Sequence, residues 1–182
     1  MYLISAYFDE NTNKILKHLQ QRIADKTGND FMIRNNVMPH LTISAIEARN
    51  VDVLIPAFEK ICRGKLQSLE EKSVANNTIN IVSVGQLFPR VIYAAPVLNK
   101  YMMNLSISIY NEFATIPETN ISKFYQPYSW MPHITLGKCL DKEQMRQAFA
   151  VLQDLFMPID GQITKIGLST VNPYREVLSV AL

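Results

Sequence analysis

Three histidines, two cysteines and one tryptophan are all that this 182-residue chain carries of its scarcest side chains, and each scarcity excludes something. Cys62 and Cys139 have neither metal-like nor redox-like spacing, so two reduced, packed thiols are expected. Charge is nearly balanced, at a formal +2, which is too little to mark a long nucleic-acid track. No apolar run approaches the ~18 residues of a membrane span. The start, Met1 to Phe8, lacks the basic flank and the length of a signal peptide. A cytoplasmic protein that stays off membranes is the expectation. No Gly/Ser run divides the chain either, so one continuous body is expected.

What is present is repeated. Pro39-His40-Leu41-Thr42-Ile43 recurs as Pro132-His133-Ile134-Thr135-Leu136, and these two pentapeptides hold two of the three histidines. Strand side chains alternate faces with period two. His40, Thr42 and Ser44 therefore share one face and Leu41 and Ile43 the other; His133 and Thr135 share a face, with Ile134 and Leu136 inward.

The surrounding chain repeats as well. A strand at 2–8 leads through Asp9, Asn11 or Thr12, all good helix caps, into a helix running to about Lys26, with Ile15, Leu19 and Ile23 inward and Gly28 past its end. His18 falls on the solvent side. A polar loop, 28–39, enters the first His-Thr strand at 40–46. A helix starting near Asn50 or Asp52 buries Leu54, Phe58 and Ile61 and ends near Gly64; the pattern over 65–76 does not decide between helix and coil. Strands follow at Thr78–Leu87 and Arg90–Val97. A helix with Leu98, Met102, Leu105, Ile109 and Phe113 inward comes next, then a loop over 115–132 and the second His-Thr strand, 133–139. Asp141 caps a helix with Gln144 at the capping-box position and Met145, Phe149, Leu152 and Phe156 inward. Strands at about 162–170 and 174–182 flank an Asn172-Pro173 turn.

Strand, helix, loop, His-Thr strand, helix and strand thus occur twice, and Val84-Gly85 is echoed by Ile166-Gly167. The fold class expected is α+β: a duplicated bilobal domain over 1–182, with lobes of roughly 1–90 and 91–182 between which strands can be exchanged. Each lobe contributes an antiparallel sheet flanked by helices, the two related by a pseudo-twofold axis with a cleft between them.

Two imidazoles and two hydroxyls facing a common space suit phosphoryl transfer at a phosphodiester without a metal or other cofactor. One neutral imidazole takes a proton, the other, as imidazolium, gives one to the leaving oxygen, and the hydroxyls hold the non-bridging oxygens. A lone His-x-Thr is usually only a half-buried strand; the second copy in a repeated setting shifts the reading to function. A metal site lacks a third ligand. Cys139, on the His133 face, stands about 20 Å along the strand, and Glu47 points away from the His40 face.

The doubled motif within this duplicated layout resembles the 2H phosphoesterase superfamily, which includes 2′–5′ RNA ligase and cyclic phosphodiesterase proteins. The closer resemblance, from Tyr2-Leu3-Ile4 through Asn172-Pro173-Tyr174-Arg175, is to a branch of small bacterial members and covers essentially the whole chain. It implies a bilobal fold with both motifs in a central cleft, and hydrolase activity on a 2′,3′-cyclic phosphate or a 2′–5′ phosphodiester of a nucleotide or small RNA terminus. By that resemblance His40 and His133 are the acid–base pair, and Thr42 and Thr135 hold phosphate oxygens. A non-catalytic RNA-end or nucleotide binder using the same cleft is the alternative. Long loops inside compact domains tend to be functional, and the second is aromatic. Tyr128 and Trp130 are candidate base-stacking residues, with pinning of the loop as the bland alternative. Arg34, Arg90 and above all Arg175 are candidate phosphate contacts. A monomer is expected.

Overall fold

The computed structural model describes residues 1–70, 77–171 and 174–182, with the backbone alone for 65–70. The strands are β1 Tyr2–Phe8, β2 Leu41–Glu47, β3 Thr78–Leu87, β4 Val91–Pro96, β5 Asn120–Ile121, β6 Ile134–Lys138, β7 Ile159–Val171 and β8 Tyr174–Ala181. The helices are α1 Glu10–Thr27, α2 Phe31–Arg34, α3 Ile55–Glu70, α4 Lys100–Phe113 and α5 Lys142–Leu155.

Local chemistry sets most of the boundaries. The Asp9 carboxylate accepts from the Thr12 backbone N–H and hydroxyl and from the Gln162 N–H, tying the start of α1 to β7. Gly28 closes α1 in the left-handed region at φ 68°. Asp141 and Gln144 form the reciprocal capping box of α5. Several expectations shift: the 28–39 loop contains α2, the 115–132 loop contains β5, and β7 begins at Ile159. Asn50 caps only a 3-10 turn at Val51–Val53, and α3 then runs from Ile55 through Gly64 to Glu70, because a single glycine weakens a helix without stopping it. Asn99 caps α4, which leaves Leu98 outside the helix and exposed rather than inward. The undecided residues 71–76 and the Asn172-Pro173 turn lie outside the described residues.

The strands form one antiparallel sheet, not the two that the repeat suggested. Its order is β5-β2-β1-β7-β3-β4-β6, with β8 also on β7. The reason is the length of β7. Its 13 residues outrun any single neighbour, so β1 pairs along 163–170, β3 takes 159–162 and β8 takes 165–171. One face of the sheet is apolar and covered by helices. Ile4, Ala6 and Phe8 of β1, Leu41 of β2, Ile92 and Ala94 of β4, and Ile166 and Leu168 of β7 belong to a single core with Leu16, Leu19 and Ile23 of α1 and Met102, Leu105 and Ile109 of α4. Helix packing crosses the sequence halves: α1 lies on α5 and β6, whereas α4 lies on α3 and β2. Among the described residues no helix is long and apolar enough to cross a membrane.

Candidate active site

The His-Thr strands β2 and β6 are far apart in the sheet order, yet the segments meet. The chain leading into β6 runs back along the outer edge of β2. There β5 pairs with Ile46 and Glu47, the Ser122 N–H donates to the Ala45 carbonyl, and the Trp130 indole donates to the Thr42 carbonyl at 3.1 Å. Trp130 is therefore a buried structural residue at 6% exposure, not a free stacking surface. The carbonyl of Thr135 likewise accepts from a distant side chain, Gln20 of α1, at 3.1 Å. Both motif strands are thus held by donors from other elements, as buried carbonyls require.

Each motif strand carries a register shift at the same place. Across β1–β2, Ser5 pairs with Thr42 and Ile4 with Ser44, so Ile43 is the extra residue; across β4–β6, Tyr93 pairs with Thr135 and Ile92 with Gly137, so Leu136 is extra. A bulge re-aims everything beyond it. Ser44 accordingly falls in phase with Ile4 on the core side, not with His40 and Thr42, and its hydroxyl is buried with no hydrogen-bond partner among the described residues. In the second copy the same shift puts Lys138, which pairs with Val91, on the face of Thr135 and Tyr93. Cys139, expected on that face, instead follows the strand in a left-handed turn at φ 63°.

The two histidines have matching surroundings. His40 Nδ1 lies 2.7 Å from the Met38 carbonyl and His133 Nδ1 3.0 Å from the Met131 carbonyl. A carbonyl can only accept, so Nδ1 carries the proton in both, and the neutral ring keeps its lone pair on Nε2. The intervening Pro39 and Pro132 are buried, and a proline biases the residue before it toward extended backbone. A tyrosine from the neighbouring strand flanks each imidazole: Tyr7 at 6.2 Å from His40 and Tyr93 at 5.8 Å from His133, ring centre to centre. Each tyrosine lies over a glycine. A Cβ on Gly167 would stand 2.9 Å from Tyr7 Cε2, and one on Gly85 would stand 2.6 Å from Tyr93 Cζ. The Val84-Gly85 and Ile166-Gly167 echo is therefore a pair of seats for the rings beside the histidines.

Burial lowers the His40 pKa below its ordinary 6.5; the Met38 hydrogen bond opposes this, and the positive charges of His133 and Lys138 add to it. His40, His133 and Lys138 hence share one electrostatic space. Thr42 is buried at 8% exposure and Thr135 half-buried. Burial and the Tyr174 hydroxyl raise the Tyr7 pKa, which keeps that phenol neutral. The imidazoles, the threonines and an ammonium can exchange protons with a bound diester and neutralise its charge.

The remaining candidates disperse. Tyr128 is 83% exposed on the loop and adopts φ 66°. Arg175 pairs with Thr170, out of phase with Tyr174 and Glu176 on either side of it, so the fold does not bring it to the histidines. Arg90 donates to the carbonyls of Cys139 and Leu140, and Arg34 pairs with Asp30 at the surface. Among the described residues no three His, Cys, Asp or Glu side chains converge to hold a metal. Sequence reasoning missed Tyr7, Tyr93 and Lys138. The recurrent glycines were visible, but not which ring each seats; Lys138 was hidden, because strict alternation assigns it to the wrong face.

No protein-family model and no curated protein matches this chain. Among solved structures it is similar to that of Kluyveromyces marxianus Usb1, with a TM-score of 0.44 and 9% identity, over 100% of this chain and 97% of that one. A similarity of this size speaks to neither substrate nor chemistry.

Proposed function

We propose that this protein is a phosphoesterase of the 2H kind, hydrolysing a 2′,3′-cyclic phosphate or 2′–5′ phosphodiester at a nucleotide or small RNA terminus without a metal. The observation that carries the reading is the matched pair of imidazoles. Each is oriented by a bond from Nδ1 to the carbonyl two residues back, and His133's charge reaches His40. The repeated bulge, tyrosine and glycine around each histidine support a site made of two equivalent halves.

His40, neutral near pH 7 because its pKa is depressed, is the base. Its Nε2 takes a proton from water as the water oxygen bonds to phosphorus. The bond from phosphorus to the 2′ or 3′ oxygen breaks, and His133, as imidazolium, delivers its Nε2 proton to that oxygen. One water is consumed and one phosphomonoester formed; exchange with solvent resets both rings. Thr42 and Thr135 donate to the non-bridging oxygens, and Lys138 supplies the positive charge that the developing dianion needs.

The test is incubation with 2′,3′-cyclic nucleotides and 2′–5′ dinucleotides in EDTA, with products identified by mass. Turnover to a monophosphate unaffected by chelation is expected. Saturable binding of the whole panel with no product would overturn the catalytic reading in favour of a binding protein.

A further inference from the structure

The two flanks of the site are not equivalent, and the difference orients a substrate. Beyond Tyr7 the sheet continues through β7 to β8. Beyond Tyr93, β7 pairs only with Thr78–Ile81 of β3, and no described strand covers the β3 edge at Ser83–Leu87. On the β8 flank the polar groups form a chain that starts at the histidine. The Tyr7 ring flanks His40, and its hydroxyl lies 2.7 Å from that of Tyr174. Lys165 Nζ sits 4.6 Å from the centre of the Tyr7 ring and donates to Glu176 Oε2 at 3.0 Å, while the Ser179 hydroxyl donates to Glu176 Oε1 at 2.8 Å. Gly167 leaves room for this arrangement: a Cβ there would lie 3.6 Å from Glu176 Oε2 as well as against Tyr7.

The charges on the two flanks differ in kind. Lys165 is neutralised by Glu176, whereas Lys138 has no ion pair among the described residues, and its Nζ lies 5.7 Å from the centre of the Phe31 ring. A phosphate is drawn to the unpaired charge of Lys138, whereas the Lys165–Glu176 pair carries no net charge to attract it. An ionised carboxylate offers about four acceptor positions, and two are taken, so Glu176 keeps one on each oxygen. Burial works against ionisation there, but the bonds from Lys165 and Ser179 outweigh it and hold Glu176 charged. Tyr174, 50% exposed, offers an aromatic face beside it.

Building on the phosphoesterase reading, we infer that Tyr174 and Glu176, with Lys165 and Ser179 fixing the carboxylate, form the nucleobase subsite, and that it favours a base presenting two adjacent N–H donors. Guanine's N1–H and N2 amino group meet that description; uracil's single N–H between two carbonyls does not, and adenine and cytosine each set an acceptor beside their amino group. The nucleotide then lies with its phosphate toward Lys138 and its base over β8.

The experiment compares kcat/KM for the four 2′,3′-cyclic nucleotides and for bis(p-nitrophenyl) phosphate, a diester with no base, in the wild type, Glu176→Gln and Tyr174→Ala. Equilibrium binding of guanosine and uridine 3′-monophosphate is measured alongside. Expected are a wild-type preference for guanine over uracil of at least about tenfold, the size of a hydrogen bond to a charged group, and its loss in Glu176→Gln with the baseless diester unchanged. Tyr174→Ala lowers all four nucleotides together, and by more than it lowers the baseless diester, since it also removes the hydroxyl partner of Tyr7. An unaltered base ranking in Glu176→Gln, or a fall shared equally by the baseless diester, overturns the subsite. Should the wild type turn over no diester at all, the phosphoesterase reading fails by itself. The guanosine-over-uridine binding ratio, and its dependence on Glu176, then upholds or overturns the subsite independently.

Discussion

At His40 the electrostatics can be varied one charge at a time, and the sign of each change is fixed. Its pKa lies below 6.5 through burial, the His133 charge and the Lys138 charge. The acid limb of kcat/KM should therefore fall below pH 6.5. Lys138→Ala removes one positive charge, makes the imidazolium easier to form and moves that limb to higher pH; it also lowers kcat/KM by about tenfold or more through lost transition-state neutralisation. Lys138→Arg restores both. The same depression links to stability: folding favours the neutral ring, so stability is full above pH 6.5 and declines as the pH falls from there through the lower folded-state value. Trp130 makes a different prediction. As a buried side chain donating to the Thr42 carbonyl, it governs folding before substrate affinity. Trp130→Ala should cost about 3–5 kcal/mol in denaturant unfolding, and Trp130→Phe about 1–3 kcal/mol for the carbonyl left without its donor. The motif histidines and threonines could be singled out as candidates from residue type and spacing; the place of Trp130 could not, since an aromatic in a loop reads alike whether it stacks a ligand or anchors the chain.

On the scale of strands, the bulges at Ile43 and Leu136 and the seats at Gly85 and Gly167 do the positioning. Period-two alternation was a sound guide up to each motif threonine and failed one residue later, which misplaced Ser44 and Cys139 and concealed Lys138. A bulge leaves no mark in a run of β-branched and aliphatic residues, so the shift could be seen only in the register. The glycines were visible as an echo, though their purpose depended on which strand lay alongside. Gly85→Ala and Gly167→Ala should push Tyr93 and Tyr7 away from their histidines. A displacement near 1 Å in such a site costs up to about a hundredfold in rate, so kcat should fall about ten- to a hundredfold while circular dichroism shows the sheet intact. Unchanged kcat in both variants would show that the tyrosines do not position the imidazoles.

Taken whole, the molecule uses one long strand to merge what the sequence repeat presents as two units. The four long helices, the caps of α1 and α5 and most strand limits could be read from periodicity and cap residues, and so could the α+β class. The continuous sheet could not, because whether β7 ends or runs on through 13 residues depends on partners distant in sequence. The loop that follows β2's edge and returns as β6 brings the second copy of the motif toward the first. The direct measurement is the pH dependence of kcat/KM on a 2′,3′-cyclic nucleotide, in EDTA, for the wild type, His40→Ala and His133→Ala. The wild type should give a bell, with its acid limb below pH 6.5. Each variant should lose about 10²- to 10⁴-fold in rate, with His40→Ala abolishing the acid limb. Near-wild-type rates in both variants, or a bell that survives the loss of either histidine, would contradict the paired acid–base site.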